Sequence, residues 1–299
     1  MKVSYLNDEF FSRLEALAFN LRSDLAGFFG GKHLVKTYGQ TVEFADYREY
    51  QLGDDIRRID WNLYSRFEKY FLKLFTDERQ MHVRIFLDCS ASMEKGDPRK
   101  SAYAVAMAAA LGFLAVHNMD KVSFNLMKGN RAENSLGTLV GKSSFFRAVR
   151  MLEEIEFTDD TDLANAITSS QIGSRGDGMS VIISDFFTES DWKKAVDYLT
   201  YNKNQVLLVQ VLSPEEIDPS YSGRIHMLDS ESQDVSDPKN MKLRITPGMH
   251  EAYLEAMRDY KEDLRSFCVS RRADFFQVDC SQSLENMLFG QLLKVGIMG

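Results

Sequence analysis

A doubly wound α/β domain with a mostly parallel sheet is the fold class this sequence predicts. Two observations carry it. From about residue 83 onward, near-continuous apolar runs recur, as expected of strands buried on both faces. Stretches with helical periodicity lie between them. Strand and helix signals in alternation are the signature of α/β architecture.

The elements follow in order. Residues 1–80 precede the alternation and hold a predicted helix over about 7–25. A Gly-rich turn (Gly27, Gly30, Gly31) and short alternating stretches follow, among them a strand at 70–75. This region reads as a small, partly β subdomain, and residues 81–299 as the α/β domain. Strands are predicted at 83–88, 122–127, 179–184, 205–212 and 275–278. An Ala-rich helix spans about 99–117. A second covers about 143–155, with Phe145, Val149 and Leu152 on one face. Shorter helices lie near 162–171 and 191–202. A long one covers about 250–269, with Tyr253, Met257, Tyr260, Leu264 and Phe267 along one stripe. Residues 213–246 interrupt the pattern, because 224–228 and 242–245 flank a polar loop and read as a β-hairpin excursion.

Composition narrows the functional classes. The chain has 299 residues, 44% of them hydrophobic, which suits a protein with a substantial core. Its net charge is −8. That argues against nucleic acid as the main partner, which favours a basic face. No apolar h-region follows the N-terminal residues, so no signal peptide is expected. The longest apolar run, 102–116, falls short of the ~18 residues of a membrane span and reads as a buried helix rather than a membrane insertion. The three cysteines form no Cys-x-x-Cys pair, which points to a reducing compartment, the cytoplasm.

The chemistry concentrates where the first core strand ends. Residues 86–93 read FLDCSASM, setting Asp88, Ser90 and Ser92 on one short turn. A carboxylate and two hydroxyls are hard oxygen donors of the kind that suit Mg²⁺. In an open doubly wound sheet, ligands bind beyond the carboxyl ends of the strands, where strand order reverses. Asp185 follows the strand 179–184. If that strand neighbours the first, Asp88 and Asp185 stand side by side, with Thr161 bringing a third hydroxyl to the same rim. Two close carboxylates repel unless a cation or proton intervenes. Simpler roles compete at each position. Ser90 and Ser92 suit a turn or the N-cap of the Ala-rich helix, Thr161 suits an N-cap, and Asp185 a strand-end turn. The charged stretch GDDIRRIDW (53–61) reads as a structural turn with Ile56, Ile59 and Trp61 buried, and the loop 228–240 as a solvated hairpin tip.

The pattern resembles a von Willebrand factor A domain carrying a metal-ion-dependent adhesion site. Asp88, Ser90 and Ser92 match its first loop, Thr161 its second and Asp185 its third. More narrowly, the chain resembles the bacterial domain-of-unknown-function family 58. VEFADYREYQLGDDIRRIDWNLYSR (42–66), KLFTDERQMHVRIFLDCSASM (73–93), TDLANAI (161–167), SDFF (184–187) and LDSES (228–232) carry the likeness. It extends over nearly the whole chain from about Leu14. One departure is that Asp159 and Asp160 precede Thr161, where the family usually has small residues. The resemblance implies a non-enzymatic, metal-dependent protein-binding module. It would hold Mg²⁺ (or Mn²⁺) through Asp88, Ser90, Ser92, Thr161 and Asp185 and dock an acidic side chain of a partner. Ser90 and Ser92 would bind the ion directly, the others directly or through water. The implied partner is a MoxR-type AAA+ ATPase or its client, in a chaperone-like or maturation role.

Enzyme readings find less support. A phosphoaspartate phosphatase wants a second Asp where Ser90 stands, and a cysteine phosphatase wants Arg where Lys95 stands. Gly141-Lys142-Ser143 lacks the earlier P-loop glycine, since position 136 is Leu. No GxSxG elbow occurs, and the five histidines show no metal-ligand spacing. The alternative that remains is a metal-dependent phosphoester hydrolase in which Asp88 or Asp185 organises a metal-bound water.

Overall fold

The computed structural model describes residues 6–20, 42–51, 53–77, 80–95, 99–158, 160–170, 178–188, 190–220, 223–227 and 241–288. Residues 1–29 and 81–299 form one compact unit and residues 30–80 a second. The predicted turn at Gly27, Gly30 and Gly31, the tip of the 228–240 loop and Asp159 lie outside the described residues.

The first helix, α1 (Asp8–Asn20), is grouped by its position in the sequence with residues 1–80, yet it packs in the α/β unit. Its Phe11 and Leu14 are buried in that unit's core beside Phe113, Phe145 and Phe146. Burial of an apolar stripe, not neighbourhood in the chain, decides where a helix packs.

The small unit contains β1 (Val42–Glu49), a 3₁₀ turn (Ile56–Arg58), α2 (Trp61–Phe67) and β2 (Phe71–Asp77). β1 and β2 pair antiparallel, with a register shift between Phe44 and Asp46. The acids of the 53–61 stretch serve its own turns. Asp55 accepts from the Arg57 N–H, and Asp60 caps α2 by accepting from the N–H groups of Asn62 and Leu63. Asp54 pairs with Arg48 at 2.8 Å. Ile59 is buried as expected, but Ile56 and Trp61 are 62% and 60% exposed, against the expectation from sequence. Trp61 instead sits edge-on to Tyr64 and Tyr70, which stack on each other.

The α/β unit continues with β3 (His82–Asp88), α3 (Lys100–His117), β4 (Lys121–Lys128), β5 (Arg131–Glu133), α4 (Gly141–Leu152), α5 (Leu163–Ser169), β6 (Gly178–Ser184), α6 (Trp192–Tyr201) and β7 (Asn204–Leu212). Then come α7 (Pro214–Ile217), β8 (Gly223–Met227), β9 (Met241–Ile245), α8 (Pro247–Ser270), β10 (Asp274–Asp279) and α9 (Leu284–Met287). Six strands form one sheet in the order β10-β7-β6-β3-β4-β5, parallel throughout except for the β4–β5 pair. The fold is therefore mixed α/β with a mostly parallel central sheet. β8 and β9 pair antiparallel as the predicted hairpin. The edge strand β5 escapes sequence reading because three residues, Arg-Ala-Glu, show no apolar period.

Side-chain alternation divides the core. Val83, Ile85, Leu87, Val181, Ile183, Val209 and Val211 face one layer with α1, α3 and α4. Phe86, Ile182 and Leu208 face the other with α5, α6 and α8. α3 is the one helix among the described residues long and apolar enough to cross a membrane, and it is the buried core helix of this unit.

Candidate metal centre

Strand order brings the site together. β3 and β6 are neighbours in parallel register, Leu87 opposite Ile183. The chain leaves β3 toward β4 on one side and leaves β6 toward β7 on the other. Their carboxyl ends therefore flank the topological switch point, where open α/β sheets bind ligands. Asp88 closes β3 and Asp185 follows β6.

Each strand end turns in the same way. Asp88 Oδ1 accepts from the Ser90 N–H at 3.0 Å, and Asp185 Oδ1 accepts from the Phe187 N–H at 3.0 Å. Both are side-chain-to-backbone turns that Asp favours. Ser184 joins them, donating to Asp88 Oδ2 at 2.6 Å while accepting from the Phe186 N–H at 2.9 Å. Phe186 is buried with φ +60°, a conformation that non-glycine residues adopt at a cost. Packing against Trp192, and the Tyr260 hydroxyl donating to its carbonyl, hold it there. Gln210 Nε2 donates to the Asp185 carbonyl at 3.0 Å. The loop after β6 is thus fixed at three successive residues.

The hydroxyls then line up. Ser90 Oγ lies 3.1 Å from Ser92 Oγ, and Ser92 Oγ donates to Asp185 Oδ2 at 2.8 Å. The simpler N-cap roles do not apply. Ser90 stands at the N-cap of the 3₁₀ turn 91–94 without a side-chain capping bond, and the Ala-rich helix begins at Lys100 behind Arg99. Asp162, not Thr161, caps α5. Thr161 is buried and bridges Gly129 just past β4. Its hydroxyl donates to the Met127 carbonyl at 3.4 Å, and that carbonyl also accepts from the Cys89 N–H at 3.1 Å. Asp88, Ser90, Ser92 and Asp185 therefore form one linked chain, while Thr161 joins the rim through backbone. Of the two acids before it, Asp160 accepts from the N–H of Thr161 at 2.6 Å.

Three further residues belong to the rim. Ser184 is one. Lys100, fully buried at the start of α3, is the second: its Nζ lies 2.7 Å from Asp185 Oδ2 and 2.6 Å from Glu216 Oε1. Glu216 on α7 is the third; its Oε2 accepts from the Ser213 N–H at 2.9 Å in a capping box. In sequence, Ser184 stands in the SDFF stretch and Ser213 and Glu216 have capping-box spacing, while nothing marks Lys100.

The electrostatics follow from burial. Asp88 and Asp185 are 3% and 2% exposed. Burial, and then the Asp185 charge, push the Asp88 carboxyl up to about 6, against the hydrogen bonds from Ser184 and Ser90. Burial alone pulls the Lys100 ammonium down, but Asp185 and Glu216 outweigh it and raise it. Burial pushes Cys89 up to about 12, which removes it as a nucleophile.

The oxygens of this chain are hard donors of the kind that suit Mg²⁺. The Ser90–Ser92 and Ser92–Asp185 separations of 3.1 and 2.8 Å are those of hydroxyl hydrogen bonds. Among the described residues no group of three or more His, Cys, Asp or Glu is placed to hold a metal, so any ion here relies on hydroxyls beside the carboxylates.

Fold and rim together define a class: a doubly wound α/β protein with a carboxylate and hydroxyl cluster at its switch point. The chain belongs to the family described as protein of unknown function DUF58, whose model matches residues 46–259. It is 27% identical over 256 residues to uncharacterized proteins of Mycobacterium tuberculosis and Mycobacterium bovis, covering 84% of this chain and 78% of each relative. Among solved structures it is similar to the conserved hypothetical protein BatB from Bacteroides thetaiotaomicron (TM-score 0.43, 19% identity, 73% of this chain and 97% of that one). It is also similar to the SpRpn10 VWA domain (TM-score 0.41, 9% identity, 72% and 97%).

Proposed function

We propose that this chain is a metal-dependent protein-binding module and not an enzyme. Asp88, Ser90, Ser92, Thr161 and Asp185 hold Mg²⁺ or Mn²⁺ at the switch point. The observation that carries the reading is the convergence of two buried carboxylates and two hydroxyls, Asp88, Ser90, Ser92 and Asp185, in one hydrogen-bonded chain at the switch point, a set of hard oxygen donors. A bound divalent cation supplies an open position for an acidic side chain. Ser90 and Ser92 present their hydroxyls to it. Asp88, aligned by Ser184, supplies charge from behind. The half-buried Ser92 marks the side from which a partner approaches.

The partner offers a carboxylate, and the family resemblance suggests a MoxR-type AAA+ ATPase or its client. The three cysteines, Cys89, Cys268 and Cys280, are buried and form no Cys-x-x-Cys pair, which suits a reducing compartment such as the cytoplasm. The hydrolase alternative needs a general acid or base. Among the described residues, no histidine hydrogen bond reaches the rim, since His82 bonds Ser123 and His250 bonds Asp218, and the rim's own titratable groups are engaged, Asp88 by Ser184 and Lys100 by Asp185 and Glu216.

The test is calorimetric titration of metal-stripped protein with Mg²⁺ and Mn²⁺ beside Asp88→Ala. One-site binding lost in the variant supports the reading. Binding of equal strength in both proteins, or in neither, overturns it. Turnover of generic phosphoesters that Asp185→Asn abolishes would replace it with the hydrolase.

A further inference from the structure

Lys100 has no place in the five-residue site, yet it makes the closest charged contact there. Lys100 is 0% exposed, and its ammonium reaches the same Asp185 oxygen that accepts from Ser92. A divalent ion bound between Ser92 and Asp185 has to share or take over that oxygen. Two positive charges on one carboxylate oxygen repel, and a buried ammonium that loses its partner is costly. The structure supplies the second partner. Glu216 Oε1 sits 2.6 Å from the same Nζ, and the Ser213 N–H and the Tyr253 hydroxyl, which donates to the Glu216 carbonyl, hold it in place.

We propose that Lys100 is the resident counter-cation of the rim and sets its metal affinity. The ammonium balances Asp185 when no metal is bound, and Glu216 retains it when a divalent cation displaces it. This rests on the metal-binding reading above and adds the residue that tunes it. Lys100 is a positioning residue here, acting on the ion only through Asp185. The consequence is a weakened site. Each bound ion must first displace a neutralising charge, so the protein binds divalent cations reversibly instead of retaining one permanently.

The experiment is a titration of metal-stripped wild type, Lys100→Met, Glu216→Gln and the double variant with Mg²⁺ and Mn²⁺, followed by calorimetry and thermal melts. Lys100→Met is expected to bind at least tenfold more tightly, with a larger rise in melting temperature on adding metal. Glu216→Gln is expected to bind several-fold more weakly, because the Gln amide oxygen accepts from the ammonium but carries no charge to retain it. In the Lys100→Met background the Glu216→Gln effect should shrink to near unity, which a general loss of nearby negative charge would not produce. An equal Glu216→Gln effect in both backgrounds overturns the proposal, as does unchanged or weaker binding by Lys100→Met while wild type binds metal. No binding by wild type or by Lys100→Met overturns the metal reading itself and this proposal with it. Should Lys100→Met fail to fold, NMR of the Lys100 side chain in wild type during a Mg²⁺ titration answers the same question. A shifted signal supports the hand-over, and an unmoved one during saturable binding overturns it.

Discussion

Ser184 Oγ donates to Asp88 Oδ2 at 2.6 Å, joining the ends of two strands that lie 96 residues apart in sequence. The same hydroxyl accepts from the Phe186 N–H. One small side chain thus aligns the carboxylate at the end of β3 and the turn that presents Asp185 after β6.

Replacing Ser184 with Ala should cost about 1–3 kcal/mol, because a buried carboxylate oxygen and a buried N–H both lose a partner. The Asp88 carboxyl should also rise further, since the hydroxyl favours its charged form. Urea unfolding checks the first effect, and NMR titration of Asp88 the second. Unchanged stability would mean that water replaces the hydroxyl in full.

Lys100→Met should lower stability by about 3–5 kcal/mol in the presence of a chelator, because it leaves Asp185 and Glu216 facing each other without a cation. Lys69→Met, whose exposed ion pair with Glu49 is worth well under about 1 kcal/mol, serves as the control. Urea denaturation of both variants makes the comparison.

Gly178→Ala should destabilise by about 1–3 kcal/mol. A Cβ there would lie 2.8 Å from the His82 carbonyl oxygen and 2.8 Å from Arg84 Nη1, and the backbone cannot yield as a side chain can. Gly248→Ala meets nothing within 4 Å and should be neutral or mildly stabilising. Thermal melts of the pair separate packing from backbone entropy.

Burial, reinforced by Arg84 and Lys121, lowers His82 from 6.5 to about 4. The unfolded chain therefore takes up this proton first as pH falls. Stability contributed here is complete above about pH 6.5 and is lost as pH drops toward 4. Allowing for solvent around the partly exposed ring, the loss should be on the order of 1 kcal/mol. His82→Gln should flatten the stability profile over that window; an unchanged slope would place the proton uptake elsewhere.

Much of the architecture was legible because the chemistry was local. The predicted strand 83–88 matches β3 within one residue, and the predicted strand 179–184 matches β6 likewise. Their apolar runs need no partner to be recognised. β5 was missed for the opposite reason, being three residues with a charge at each end. Trp61 was expected in a core because large aromatics usually bury, yet its neighbours Tyr64 and Tyr70 form only a surface cluster.

The sequence by itself determined the α/β alternation, the Asp-x-Ser-x-Ser turn and the family, since each is written in short-range pattern. Only the tertiary structure decided that β3 lies against β6, that Ser184 holds Asp88, and that Lys100 reaches Asp185 and Glu216. In sequence, Lys100 is one lysine at the start of an Ala-rich helix, where a solvated side chain is the ordinary outcome. Its role comes from partners 85 and 116 residues away. Charge compensation in a buried site depends on which strand ends meet, and strand order is a property of the whole chain.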